Sequence, residues 1–239
     1  MDKIKKMLGT KLFQNGMRFF ILQIITTVEP LLTLPYITRV LGTSNYGVFS
    51  LSLNWVTYFQ VIVEYGFGFT GARKVSIEGD NNLQNLYSRI ISARLLLLAV
   101  SYLGMNVLAY VTHVGVQQFV SMNILFLVII GVAFQLTWLF LGKQDMKLIT
   151  ISNAVSRLIS VILVFLVVKT EAHLYLYCFC YSVTFIFSAV LGLALSRKKY
   201  GLKVRLCKFK EAIDEIKDGW FLFISQAMSK IFSSVGVSV

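Results

Sequence analysis

Long apolar runs separated by short polar connectors set the organisation of this chain. Residues 19–38 form a twenty-residue run whose only charge is Glu29. As a helix that run is long enough to cross a hydrocarbon core of about 30 Å. Residues 40–63 carry no charge and supply a second span. Residues 95–142 are 48 positions without Lys, Arg, Asp or Glu, too many for one crossing, and predict two spans joined near 112–118. Spans five and six are predicted at about 148–168 and 174–195, and a seventh apolar run opens at Gly219. The runs are continuous rather than alternating, so the spans are helices and not barrel strands. Both prolines of the chain, Pro30 and Pro35, fall in the first run and predict a kinked or broken helix there.

Composition agrees with that pattern. The chain is 56% hydrophobic and 14% charged, with mean hydropathy +0.73, whereas a soluble domain carries about 25% charge. The net charge of +12 suggests a nucleic-acid partner until the basic residues are placed. Of the 23 Lys and Arg, twenty fall in the N-terminal segment and beside the connectors after spans two, four and six, and two in the odd connectors. Excess basic charge marks the cytoplasmic side, so the N-terminus is expected to be cytoplasmic and the nucleic-acid reading fails. The N-terminal lysines precede no small-residue cleavage site, which predicts a retained first helix. Cys178, Cys180 and Cys207 have no metal or redox spacing.

These boundaries divide the chain into a basic amphipathic segment (1–18), a six-helix transmembrane lobe (19–196), a basic cytoplasmic inter-lobe loop (197–218) and a further helix (219–239). NGMRFFILQ (15–23) and DGWFLFISQ (218–226) match in form: each opens Asn/Asp-Gly and has Gln seven residues after the Gly. That match predicts an internal repeat beginning at 218. The expected fold is therefore an all-α integral membrane protein, one six-helix lobe of a two-lobe exporter plus the first helix of a truncated second lobe.

Several blocks carry a family resemblance. LLTLPYITRVLGTSNYGVFSL (31–51), VIVEYGFGFTGARKVS (61–76), SARLLLL (92–98) and WLFLGKQDMKLITISNAVSRLIS (138–160) resemble, in order, bacterial polysaccharide-unit or O-antigen flippases. These belong to the multidrug/oligosaccharidyl-lipid/polysaccharide exporter superfamily. The resemblance implies two six-helix lobes about a central cavity in the bacterial inner membrane. The implied activity is ion-coupled flipping of an undecaprenyl-diphosphate-linked oligosaccharide. Implied partners are that substrate, membrane lipid, polysaccharide polymerase or assembly proteins, and a second lobe or copy. Rival readings are a multidrug exporter with an apolar cationic substrate, and an inert truncated product or half-transporter that needs a partner.

Such a substrate needs a cationic site for diphosphate, and arginine suits it through two parallel charge-assisted bonds. Arg18 at the cytoplasmic entrance of span one, Arg39 at its outer end and Lys230 in the seventh span are the candidates, with interfacial snorkelling as the plain alternative for the first two. Glu29, mid-span beside Pro30, is the candidate ion-coupling acid, with a structural bond to a neighbouring helix as its alternative. Glu64 joins it as a second acid, with pairing to Arg73 or Arg94 as the plainer expectation. Arg157 and Asp145 are expected to form a loop-to-helix ion pair. GFGFTG (66–71) lacks the Gly-Lys-Ser/Thr of a nucleotide loop. No triad, paired acids of glycosidase type or metal spacing is present in the sequence, so neither an enzyme nor a cofactor is expected.

Overall fold

In the computed structural model, which describes residues 11–79 and 82–236, the elements are helical throughout, and no strand occurs among the described residues. The order is α1 (Lys11–Glu64), α2 (Phe67–Glu78), α3 (Leu83–Val111), α4 (Val116–Phe134), α5 (Thr137–Gly142), α6 (Met146–Val167), a single 3-10 turn (Glu171–His173), α7 (Leu174–Tyr200) and α8 (Phe209–Gly236). Five helical stretches among the described residues are long and apolar enough to cross a membrane. The chain is an all-α integral membrane protein.

The first of those stretches crosses twice. α1 is 54 residues long, and its one non-helical residue is Gly42, at φ 76° and ψ 161°. That conformation is open to glycine and almost nothing else, and it turns the chain back on itself. Glu29–Leu34 of the first arm and Tyr46–Leu53 of the second consequently line one cleft. The expected break at Pro30 or Pro35 does not occur, since backbone angles stay helical through both prolines. Membrane helices tolerate proline because neighbouring helices and side chains re-satisfy the freed groups. Glycine, not proline, makes the turn.

Cross-contacts fix the two ends of the bundle. At the end holding the Gly42 turn, Tyr36 Oη donates to the Val168 carbonyl at 2.7 Å and Asn45 Nδ2 to that of Glu171 at 3.0 Å. Gln117, just inside α4, donates to Asn45 there at 3.0 Å. The other, basic end gathers the C-terminal end of α1, α2, the start of α3, α5 and the start of α8. The polar connector after span two contains the short helix α2, packed against α5. A Cβ on Gly142 would lie 2.7 Å from the Ala72 carbonyl oxygen. The connector between α7 and α8 is non-helical only over 201–208, and α8 begins ten residues before the expected seventh span.

The central packing is α4 against α7, flanked by α1 and α6. Close approach depends on small residues. Gly131 of α4 sits so near α7 that a Cβ would lie 2.6 Å from the Phe185 carbonyl carbon. Ser152, Ser156 and Ser160 recur every fourth residue as the buried stripe of α6. Their hydroxyls donate to Leu148, Ser152 and, across to α7, Cys180 carbonyls.

Candidate functional site

Two charges meet in the middle of the bundle. Glu29 lies thirteen residues before the Gly42 turn, about 20 Å along the helix axis, and Arg157 lies eleven residues into α6, about 17 Å. Neither is near an end of its helix. Arg157 Nη1 donates to Glu29 Oε2 across the α1–α6 boundary, with the side chains 27% and 14% exposed respectively. The sequence offered Asp145 as the partner of Arg157. Asp145 is instead held at the basic end by Lys199 and the Tyr200 hydroxyl. More than two helical turns separate Asp145 from Arg157, whereas α1 packs along the middle of α6 and brings Glu29 to it.

The pair lines a cleft of about 210 Å³. From α1 the walls are Thr33 and, across the turn, Tyr46 and Phe49; from α6, Ser160; from α7, Tyr177 and Tyr181. Tyr177 and Tyr181 are four residues apart and so share a helix face. Phe49 packs on both, at ring-centroid distances of 4.5 and 5.5 Å. Tyr181 lies within electrostatic reach of Glu29, Arg157 and Tyr46. The result is a wall of aromatic faces and hydroxyls beside one intramembrane ion pair. Its volume is below the 300–1,000 Å³ of ordinary small-molecule pockets, so it suits part of a large ligand.

A second polar node lies one turn from the pair. Gln135, where α4 ends, donates to Asn153 of α6 at 2.9 Å and to Ser188 of α7 at 3.1 Å, and Ser188 donates to Asn153 at 2.9 Å. Arg94 of α3 reaches the same helix end. Its Nη1 donates to the carbonyls of Val132, Ala133 and Gln135, at 2.8 Å for the last. A guanidinium at a helix C-terminus satisfies carbonyls that the helix itself leaves open and meets the negative end of its dipole. Arg94 is therefore a buried clamp on the break between α4 and α5.

The remaining sequence candidates are scattered. Glu64 is half-buried at the basic end of α1, where it accepts from Gln60 Nε2 at 2.8 Å. Arg94 lies within its electrostatic reach, but Arg73 does not bond to it. Arg39 is exposed near the Gly42 turn with no partner among the described residues. The side chains of Arg18 and Lys230 lie outside the described residues. The structure thus brings Glu29 to Arg157, which was not among the sequence candidates, and to neither Arg39 nor Glu64. A lone mid-span arginine and the four-residue spacing of Tyr177 and Tyr181 were the signals available in the sequence. The Gln135–Asn153–Ser188 node had no local signal at all. No cluster of metal-ligating side chains occurs among the described residues.

Three comparisons bear on this geometry. The family model described as "Polysaccharide biosynthesis protein" matches residues 12–239. A protein of Escherichia coli (strain K12) named "Putative O-antigen transporter" is 24% identical over 207 residues, covering 86% of this chain and 50% of its own length. One of Shigella dysenteriae with the same name is 26% identical over 227 residues, covering 94% and 57%. The chain spans about half the length of these curated relatives. No solved structure matches it.

Proposed function

Because the chain belongs to the polysaccharide biosynthesis protein family, we propose that it is one lobe of a flippase moving an undecaprenyl-diphosphate-linked oligosaccharide across a bacterial inner membrane. The names of its relatives support O-antigen export as the setting. The basic connectors support a cytoplasmic basic end and N-terminus. The observation that carries the reading is the Glu29–Arg157 pair set in an aromatic, hydroxyl-lined cleft midway along helices long and apolar enough to span a membrane. Charges so placed are costly and mark substrate or ion pathways. Tyrosine faces and hydroxyls suit sugar, and an arginine suits diphosphate.

The pair also supports ion coupling. Glu29 holds Arg157, and the substrate's diphosphate would compete with that carboxylate for the one guanidinium. A coupling ion, H⁺ or Na⁺, taken up by Glu29 would release Arg157 to the diphosphate. Arg18, Arg39 and Lys230 are the further cations this reading assigns to the diphosphate, and Glu64 is a second acid at the basic end. The other half of the cavity comes from a second lobe or a second copy, which fits both a cleft of about 210 Å³ and the half-length match to the relatives.

The test is surface polysaccharide in a host strain lacking this gene. Wild-type chain, with its second half where the gene supplies one, restores the O-antigen ladder; Arg157→Gln and Glu29→Gln do not, while both still reach the membrane at normal abundance. Full export by both variants would refute the reading. Loss of drug tolerance with an intact ladder would favour a drug exporter.

A further inference from the structure

The connector between α7 and α8 is non-helical over 201–208, yet it is fastened to α3 at two points. Gln84 of α3 accepts the Lys203 backbone N–H at 3.0 Å and donates to the Lys203 carbonyl at 2.8 Å. About two turns further along α3, Ser92 accepts the Cys207 N–H at 3.0 Å. Leu202 is buried on the inner side, and beyond the strap Ala212 and Glu215 bury the start of α8. The inner edge of the strap is thus bonded to the bundle and its outer edge is presented in a fixed register.

That outer edge combines two features that disagree in water. Residues 197–210 contain no acid. Arg197, Lys198, Lys203, Arg205, Lys208 and Lys210 are exposed and have no side-chain partner among the described residues; only Lys199 is paired, to Asp145. Interleaved with them, Leu206 is 75% and Phe209 66% exposed. Apolar side chains this bare are disfavoured in a water-facing loop, and an assembly of six unpaired cations is disfavoured at a protein–protein contact. Both features are satisfied where a membrane meets water, with apolar groups at the acyl boundary and cations at phosphates.

We propose that the 197–210 strap is a docking surface for anionic phospholipid headgroups. Leu206 and Phe209 enter the headgroup layer, and Arg205, Lys208 and Lys210 neutralise phosphates on either side of them. Each Lys or Arg held near an anionic surface favours association about fivefold, so three of them are enough to hold the strap down. The proposal requires only a membrane-spanning chain, and failure of the substrate reading above would leave it standing.

Cys207 is a reporter built into the strap, half-buried, while Cys178 and Cys180 are buried in the bundle. The experiment measures modification of Cys207 by a neutral, polar maleimide, read by peptide mass spectrometry, for the whole chain in nanodiscs. One set contains phosphatidylcholine alone and the other also phosphatidylglycerol. Labelling is expected to be at least threefold slower with phosphatidylglycerol at 0.1 M salt. The difference should vanish at 1 M, where the screening length falls from about 10 to about 3 Å. It should vanish equally in the Arg205→Gln/Lys208→Gln/Lys210→Gln variant, whose helix content by circular dichroism stays that of the wild type. Equal rates in the two lipids would overturn the proposal, as would protection independent of lipid, the mark of a protein partner on the strap. A slowing retained by the triple variant would overturn it too, because local surface acidity alone produces that. Native mass spectrometry supplies the second measure: the wild type should retain more phosphatidylglycerol than the triple variant, and equal retention counts against the proposal.

Discussion

Glu215 offers the sharpest test of how α8 is held to the bundle. Its side chain is 1% exposed and receives Lys74 Nζ of α2 at 2.6 Å and Arg89 Nη2 of α3 at 2.9 Å. Just beyond it, Phe223 stacks on Tyr65 at 4.5 Å and Lys74 also reaches Asp218 at 2.9 Å. Breaking a fully buried pair costs about 3–5 kcal/mol, and an exposed pair is worth about 0–1. Here the acid is buried, but Lys74 and Arg89 are 23% and 31% exposed and can regain water, and Lys74 keeps Asp218. Glu215→Gln, of the same shape and still able to accept one bond, is therefore expected to cost about 2 kcal/mol, between those limits. At about 1.4 kcal/mol per factor of ten, the population with α8 and its strap released rises about 30-fold. Limited trypsin digestion reads this directly, because Lys203, Arg205 and Lys208 lie in the strap and cleavage follows the open population when reclosing is fast. Asp218→Asn, on a side chain 61% exposed, should change cleavage less than about fivefold, under 1 kcal/mol. Cleavage of Glu215→Gln no faster than that of Asp218→Asn would refute the claim that Glu215 anchors the helix.

Three further outcomes follow from the packing and the site. Exchanging the charges as Glu29→Arg/Arg157→Glu should recover about 1–2 kcal/mol of the stability lost by either single change, measured as a double-mutant cycle in detergent unfolding; strictly additive effects would deny the pair any coupling. Gly42→Ala forces a side chain into a backbone conformation reserved for glycine and should cost about 1–3 kcal/mol, seen as a lower unfolding midpoint, whereas Pro35→Ala should cost less because the helix runs through that proline. Gly131→Ala places a Cβ 2.6 Å from the Phe185 backbone and should lower the midpoint by about 1–3 kcal/mol through overpacking of α4 on α7; an unchanged midpoint would show that the two helices can move apart freely.

The spans were legible in the sequence because burial in lipid imposes a simple rule: twenty or so apolar residues per crossing, with charge only between. The turn near 112–118 followed from the same counting, since 48 uncharged residues exceed one crossing. α2 was missed because a short helix bounded by Gly66 and Gly79 reads locally as a polar loop. The start of α8 was missed because FKEAIDEIKD looks like a charged connector until Lys74 and Arg89 are found around Glu215. Pro30 and Pro35 misled for a physical reason as well: a proline weakens one helical bond, whereas Gly42 reverses the chain by adopting angles that other residues refuse.

Sequence alone determined that the chain lives in a membrane as α-helices, which end carries the positive charge, and that Glu29 is the singular acid of the first span. These are properties of single segments against the bilayer, and each segment states its own. Tertiary structure decided the partnerships: Glu29 and not Asp145 as the partner of Arg157, the tyrosines around the pair, Gln135 joined to Asn153 and Ser188, and the strap fastened by Gln84 and Ser92. Partners of that kind lie as many as 128 residues apart along the chain. Helical periodicity gives the face on which a residue lies, but only the packing of one helix on another selects which faces meet and at what height.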